Sequence, residues 1–271
     1  MSALIRHLTL LLAGALAPVW AVAAVQAMPP PGPALSAEQI VERNVSARGG
    51  LDAWRQIRTM VWAGHMLGSS PDQPMLQFVL DQARPDKTRF EVNAMGKVSV
   101  RVFDGLHGWK LRPGRGLTPD VQAFDIKEVR FAQEEQVIDG PLIDYAARGS
   151  QLTLVGLEDV GGRQAWHLDV TRASGTRESV WVDAETFLDA RYDRISYGPG
   201  GNPVLVTVFY RDYHQVQGVQ IPFLIDMGGV YDKPANRMVI EHVALNVDLD
   251  PRVFAEPGHE RRRAVRAGNG R

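Results

Sequence analysis

Hydrophobic and polar residues alternate along most of this chain. The clearest case is the stretch 98–103, where every second residue is a valine. A period of two places successive side chains on opposite faces of a β-strand. Asp104 and Gly105 then supply a turn, because both residues tolerate the positive φ angles of a tight hairpin, and Trp109 lies in the returning strand. The stretch 98–113 therefore predicts a β-hairpin.

The same alternation recurs on both sides of this hairpin. Three segments precede it, and they cover residues 59–66, 76–81 and 89–93. Seven segments follow, separated by turn-forming residues, and they cover residues 152–155, 165–171, 178–183, 188–196, 204–213, 219–227 and 237–247. The pattern predicts eleven or twelve antiparallel strands in total.

Apolar residues at helical spacing predict a short helix at the start of the β-rich region, between residues 36 and 50. Ser36 is suited to cap a helix, and Gln39 then falls at the third helical position, which completes a capping box. Apolar positions 40, 41 and 45 supply one buried face, and the Gly49-Gly50 pair ends the helix. Residues 51–57 predict a further helical turn or two.

A second helical segment interrupts the strands between residues 125 and 148. Its apolar residues lie nearer to helical spacing, and Gly140-Pro141 breaks it, so one or two short helices are predicted. A sheet of so many strands curls or splits, since strand twist accumulates. We therefore predict a mostly β fold with few helices, in which a large curved antiparallel sheet forms an incomplete β-barrel covered by a helical lid at 126–147.

A curled sheet has one concave face, whose side chains either fill the interior or leave room for an apolar ligand. The alternation does not decide which set of side chains faces inward, and an ordinary core position is the more common place for any single large apolar residue. The candidate residues for a hydrophobic cavity are Trp62, Phe78, Leu80, Phe90, Val92, Trp109, Trp166 and Tyr192.

The N-terminus has the pattern of a secretory signal peptide. Arg6 precedes an apolar run over 8–25, and small residues then offer cleavage sites, of which we favour the one after Ala27. An uncleaved membrane anchor is the alternative, because the run is about long enough to span a bilayer. Pro18 and the alanine-rich end favour cleavage, so we expect a soluble periplasmic protein.

The chain divides into four predicted parts. They are a signal peptide (1–27), a Pro-rich linker (28–35), the β-rich domain (36–255) and a basic disordered tail (256–271). The tail carries five arginines. It is either a solvated terminus or a source of weak attraction to anionic lipid headgroups.

Composition and motifs exclude several function classes. The formal net charge of −1 provides no general attraction to nucleic acid. The absence of cysteine excludes disulfides, thiol nucleophiles and acylation at a lipoprotein cysteine. The histidines are scattered without metal-ligand spacing, and neither a Gly-x-Ser-x-Gly motif nor a phosphate loop is present. We therefore predict no enzyme, no metal and no cofactor.

Short motifs follow one another in a recognisable order between residues 36 and 254. They are Ala-Arg-Gly-Gly-Leu at 47–51, Arg84-Pro85 followed by Arg-Phe-Glu at 89–91, Phe-Asp-Gly at 103–105 with Gly108-Trp109, Asp-Gly-Pro-Leu at 139–142, Val-Asp-Ala-Glu-Thr at 182–186, and Asp212-Tyr213 followed by Gly218-Val219 and Pro222. Together with the exported N-terminus, this order resembles the LolA/LolB-like periplasmic carriers that sort outer-membrane lipoproteins.

The resemblance implies an unclosed antiparallel barrel under a helical lid. Its hydrophobic cavity would hold the acyl chains of lipoproteins, or another lipid, during transfer to the outer membrane. In the carriers an arginine of the Arg-Pro motif holds the lid closed by hydrogen bonds, and Arg84 occupies the matching position. A strand-end arginine that caps a turn is the alternative for Arg84.

The implied partners are acyl chains or lipid, together with membrane-associated donor and acceptor proteins, and we expect a monomer that binds no nucleic acid. Loops longer than those of the compact carriers leave the cargo open. Two alternative functions suit the same fold: a lipid- or lipoprotein-sensing module of the envelope stress response, and a general lipid-trafficking protein. A structural protein with a filled barrel is the remaining alternative.

Overall fold

Strands make up most of the part of the chain that the structure describes. The computed structural model describes residues 35–68, 70, 73–114, 119–134, 138–197, 203–228 and 236–258. The predicted signal peptide and most of the predicted linker and basic tail lie outside these ranges. The helices are α1 (Ala37–Ala47), α2 (Leu51–Gln56) and α3 (Ile126–Glu134), and a 3₁₀ turn spans Pro251–Phe254.

The described residues contain thirteen strands, one or two more than the alternation predicts. They are β1 (Thr59–Gly68), β2 (Leu76–Ala83), β3 (Lys87–Ala94), β4 (Lys97–Phe103), β5 (Gly108–Arg112), β6 (Asp120–Ala123), β7 (Gln151–Val160), β8 (Arg163–Thr171), β9 (Arg177–Asp183), β10 (Asp189–Tyr197), β11 (Pro203–Val216), β12 (Val219–Gly228) and β13 (Asn236–Leu245). The strand that the pattern misses is β6, whose four residues are too few to show a period of two.

All thirteen strands belong to one antiparallel sheet. Its order is β6-β5-β4-β3-β2-β1-β13-β12-β11-β10-β9-β8-β7. The sheet thus consists of two meanders, β1–β6 and β7–β13, which join where β1 pairs with β13. The edge strands β6 and β7 do not pair with each other, so the sheet stays open. This confirms the predicted mostly β fold with an incomplete barrel.

The contacts of α3 show how strongly the sheet curves. Glu128 of this helix pairs with Arg101 and Lys110, on β4 and β5. Six residues later, Glu134 accepts a hydrogen bond from Thr176, which lies between β8 and β9. In a flat sheet β4 and β9 would be eight strand spacings, or roughly 38 Å, apart, whereas six helical residues rise about 9 Å. The sheet therefore curls until both of its outer parts reach the same helix.

The predicted capping box is present at the start of α1. The Ser36 hydroxyl accepts a hydrogen bond from the Gln39 backbone N–H, and the Gln39 side chain accepts one from the Ser36 N–H. At the other end, Gly49 has a φ of 113°. A Cβ there would lie 2.4 Å from the carbonyl oxygen of Gly218, so a glycine lets α1 end directly against the turn between β11 and β12.

The predicted hairpin is formed by β4 and β5, with a loop of four residues. The Asp104 carboxylate accepts hydrogen bonds from the backbone N–H groups of Leu106 and His107. Asp104 therefore closes the loop with its side chain, in addition to the backbone freedom that Gly105 provides. Among the described residues of the insert that follows, α3 forms the one helix, and residues 138–149 fold as a series of turns.

Strand pairing divides the sheet into two faces, because cross-strand partners share a face. Trp62, Leu80 and Phe90 are successive partners on β1, β2 and β3. Their face, here called the inner face, carries the largest core cluster, together with Ile40 of α1 and Leu142. The covering elements α1, α3 and residues 138–149 (the covering segment) all contact this face.

The opposite, outer face has a smaller core. Its row of partners runs from Val61 through Arg89 and Val102 to Trp109. The 3₁₀ turn packs here, and its Phe254 is buried against Val102 and neighbouring residues. The two faces thus bury separate clusters, and α1 packs over the inner one. None of the helices within the described ranges is both long enough and apolar enough to cross a bilayer.

Candidate functional site

A cavity of about 250 Å³ lies between the inner face and its cover. The described residues of its walls are mainly aromatic and aliphatic, with Val180, Val208 and Ile225 among those on the sheet side. The covering segment contributes Ile138 and Pro141. This lining suits an apolar ligand better than a charged one.

The structure brings most of the predicted cavity residues together. Trp62, Leu80 and Tyr192 line the cavity directly. Four more lie on the same face within the surrounding core cluster, and they are Phe78, Phe90, Val92 and Trp166. The rings of Phe78 and Phe90 lie 5.9 Å apart. These four belong to, or pack against, the core cluster that surrounds the lining residues.

Trp109 is placed elsewhere. It is the cross-strand partner of Val102 and packs with the outer cluster that includes Val100 and Phe254. Phe90 and Trp109 therefore point to opposite sides of the sheet. Trp109 is a core residue of the outer face. Trp109 therefore does not line the cavity, contrary to the expectation from the sequence.

Arg84 joins the sheet to the covering segment. Its guanidinium forms two hydrogen bonds with the Asp139 carboxylate, with a nitrogen–oxygen distance of 2.5 Å. It also donates to the backbone carbonyls of Trp54 and Ile57. The Arg84 side chain is 30% exposed and that of Asp139 is 10% exposed. A charge-assisted pair in such a sheltered place is a directional contact.

Two further arginines reach the same part of the covering segment. Arg148 lies 3.3 Å from the Asp139 carboxylate and donates to the carbonyl of Gly140. Burial lowers the pKa of the Arg148 guanidinium, and the charge of Asp139 opposes that shift. Arg48 donates to the backbone carbonyl of Asp139. Arginines from three parts of the chain thus converge on Asp139 and Gly140.

Arg48 and Asn44 form a buried polar contact between α1 and β10. Asn44 donates to the Phe187 carbonyl and to the Asp189 carboxylate, and Arg48 lies 3.3 Å from the same carboxylate. Sequence reasoning missed both residues. The available signal was their spacing. Positions 40, 44 and 48 fall on one face of a helix, so Asn44 and Arg48 lie in line with the buried Ile40.

The tyrosines of the cavity are held in their neutral form. Burial raises the pKa of Tyr213 well above its ordinary value, and the nearby charge of Asp189 raises it further. The Tyr213 hydroxyl donates to the Asp189 carbonyl. Burial likewise raises the pKa of Tyr210. A neutral, internally bonded phenol offers mainly its ring to a ligand.

A larger cavity of about 760 Å³ lies beneath α3. It adjoins the apolar cavity, because Tyr192 and Arg194 line both. Phe131 and Ile126 of α3 contribute to its wall. Within the described residues, no group of three or more histidine, aspartate or glutamate side chains is arranged to hold a metal ion.

Comparison with solved structures identifies the fold. A LolA superfamily protein from Nitrosomonas europaea matches 82% of this chain and 99% of its own, with a TM-score of 0.52 and 13% identity. A DUF1329 family protein from Desulfovibrio piger matches 80% of this chain and 96% of its own, with a TM-score of 0.51 and 15% identity. No protein-family model and no curated protein matches the sequence. The chain has a LolA/LolB-like fold, which confirms the resemblance at the level of architecture.

Proposed function

We propose that this protein, whose fold is LolA/LolB-like, carries the acyl chains of lipoproteins or of another lipid through the periplasm toward the outer membrane. The observation that carries the proposal is the apolar cavity between the inner face and its cover. The periplasmic location is part of the proposal, and it rests on the signal-peptide pattern of residues 1–27.

The binding energy of such a cargo comes from burial of its hydrocarbon. Each methylene removed from water contributes about 0.8 kcal/mol. The transfer of a chain of about sixteen carbons from water to an apolar site is therefore favourable by more than about 10 kcal/mol. The cavity volume of about 250 Å³ lies below the range of roughly 300–1,000 Å³ that is common for ligand pockets. A long chain therefore requires the cover to move outward.

The covering segment is suited to such a movement. Leu142 and Ile143 are almost completely buried, so an outward shift would expose them to water. An acyl chain that takes their place against the inner face would offset this cost. The polar contacts of Asp139 hold the segment when the site is empty, and in this proposal Arg84 keeps the cover closed.

The direct test is extraction of the exported protein, purified from cells, followed by mass spectrometry. Co-purified acylated protein would support a lipoprotein carrier, and free lipid would support a more general lipid carrier. A protein that is consistently empty, and that also fails to bind a neutral fluorescent acyl probe, would contradict both.

A larger side chain that fills the cavity should weaken binding of the acyl probe. Val208 is buried on the inner face and lines the cavity, so Val208→Trp is expected to weaken binding of the acyl probe at least tenfold by occupying the space of the ligand. The matched control is Val155→Trp, at an exposed position of the edge strand β7. Equal affinities of the two variants, measured by fluorescence titration, would argue against this cavity as the site.

A further inference from the structure

The cavity beneath α3 differs from the apolar cavity in its charge. Its cationic lining residues are Lys127, Arg130, Arg172, Arg177 and Arg194, and its acidic ones are Glu134 and Glu178. Among the lining residues that the structure describes, five cations against two acids leave an excess of three positive charges. The whole chain has a formal net charge of −1, so this excess is a local property of one cavity.

Some of these charges are used within the fold. Arg172 forms two hydrogen bonds with the buried Glu178 carboxylate and also donates to the backbone carbonyl of Glu134. The Arg194 guanidinium lies over the Phe131 ring at 5.4 Å. These contacts attach α3 to the turn between β8 and β9 and to β10, and they use the charges of Arg172 and Glu178 within the fold.

The other three cations have no such structural use. Lys127, Arg130 and Arg177 are exposed, and within the described ranges none of them forms an ion pair with a carboxylate. Lys127 and Arg130 are three positions apart on α3, which places them on one side of the helix. Arg177 belongs to β9, across the same cavity. Cations thus approach this space from the helix and from the sheet.

The two cavities meet at residues of mixed character. Tyr192 is 8% exposed and presents an aromatic ring to the space that it shares with Trp62 and Leu80. Arg194, two positions along the same strand, also lines both cavities. Side by side, an apolar cavity and a cationic one match the two parts of an anionic amphiphile.

We infer that the cavity beneath α3 binds the anionic, phosphate-bearing headgroup of the lipid whose acyl chain occupies the apolar cavity. This inference rests on the proposed function and narrows its cargo to anionic lipids. Guanidinium groups bind phosphate oxygens through paired, charge-assisted hydrogen bonds. A neutral headgroup would offer these three cations no net negative charge to pair with.

The test compares soluble short-chain phosphatidylglycerol with phosphatidylcholine of the same acyl chains. The wild-type protein is expected to bind the anionic lipid about tenfold more tightly than the neutral one. This figure assumes that each of the three exposed cations contributes roughly 0.5 kcal/mol through its interaction with the headgroup charge. The preference should shrink as salt concentration rises, because exposed charges are screened. Isothermal titration below the micellar concentration of each lipid measures both affinities.

The deciding variant is Lys127→Gln combined with Arg130→Gln and Arg177→Gln. It should lose the preference for phosphatidylglycerol and keep its affinity for the neutral acyl probe. The matched control combines Arg58→Gln, Lys97→Gln and Arg112→Gln, which removes the same charge from exposed positions outside the lining of either cavity. The control should retain the preference of the wild-type protein.

Several outcomes separate this inference from the proposed function. Equal affinity for both lipids, with tight binding of the neutral probe, would overturn the headgroup site and leave the acyl carrier intact. A preference lost equally in both triple variants would also overturn the site. Inorganic phosphate that binds as tightly as phosphatidylglycerol would overturn the link to a lipid. Absence of binding by all three lipid probes would contradict the proposed function itself.

Discussion

At the residue scale, the contacts of Asp139 are the most informative feature of the molecule. Its carboxylate accepts hydrogen bonds from Arg84 and Arg148, and its backbone carbonyl accepts one from Arg48. Asp139 is the shared acceptor, so it holds together the side chains of Arg48 directly after α1, Arg84 directly after β2, and Arg148 of its own segment. Removal of any one donor should loosen the covering segment without dismantling the sheet.

Arg84→Leu is expected to increase hydrogen exchange in residues 138–149. The variant loses both hydrogen bonds to Asp139, at a cost of about 2 kcal/mol for a charged pair that is partly sheltered. Hydrogen exchange in the strands of the sheet should change much less, because the backbone hydrogen bonds between strands do not involve the Arg84 side chain. Hydrogen exchange followed by mass spectrometry measures this. Arg112→Leu, at an exposed position of β5, is the control.

Unchanged exchange in residues 138–149 of Arg84→Leu would contradict the proposed holding role. Arg84→Lys refines the test, because an ammonium cannot form the paired contact of a guanidinium. Its exchange should lie between those of the wild-type protein and Arg84→Leu.

At the element scale, α3 is attached through its charged ends. Glu128 contacts Lys110 and Arg101 on one side of the curled sheet, and Glu134 contacts the turn between β8 and β9 on the other. Since α3 has a single buried residue, Ala132, apolar packing contributes little to holding it. The position of α3 should therefore respond to pH more than that of α1, whose buried face is larger.

Protection of α3 against hydrogen exchange is expected to fall below about pH 4.5. Burial acts to raise the pKa of Glu128, but its hydrogen bonds with Lys110 and Asp125 outweigh that effect and lower the pKa below its ordinary value of 4.5. A lowered folded-state pKa contributes stability above the unfolded value, and this contribution is lost as the pH falls through the folded value. Exchange corrected for intrinsic rates, from pH 7 to pH 3, measures the change.

Glu128→Gln is the matched variant for this prediction. It should show weaker protection of α3 at pH 7 and little further loss on acidification. A variant that keeps the full pH dependence of the wild-type protein would show that another group controls the attachment of α3.

At the scale of the whole molecule, the open sheet and its cover together form the walls of the apolar cavity. Within the sheet, the described strands of the two meanders join at the β1–β13 ladder, and α1, α3 and the covering segment contact the inner face. A ligand inside would contact strands of both meanders, since Leu80 of β2 and Val180 of β9 line the same cavity. Binding should therefore stabilise the fold as a unit.

Saturation with an acyl ligand is expected to raise the melting temperature by about 5–10 °C. A free ligand concentration of one hundred times Kd stabilises the folded state by about 2.7 kcal/mol, and each kcal/mol shifts Tm by about 2–4 °C in a domain of this size. Differential scanning calorimetry with increasing ligand measures the shift. Val208→Trp should show a smaller shift at the same ligand concentration, and an unchanged Tm in the wild-type protein would contradict binding inside the folded cavity.

Local sequence determined the elements of this protein. A period of two was sufficient for nearly all of the strands, Ser36 and Gln39 were sufficient for the start of α1, and Asp104 with Gly105 marked a turn. These features depend on residues a few positions apart, and their physical causes are steric limits on the backbone and local hydrogen bonds. The motif order between residues 36 and 254 then placed these elements in a LolA/LolB-like architecture.

Tertiary structure decided the rest. Alternation defines two sets of side chains but does not say which set the curl encloses, and so Trp62 and Trp109 were indistinguishable until strand pairing placed them on opposite faces. Arg84 and Asp139 are 55 positions apart, and the cations beneath α3 come from a helix and from a distant strand. Such meetings depend on how the whole sheet curves, because curvature accumulates over thirteen strands and cannot be read from any one of them.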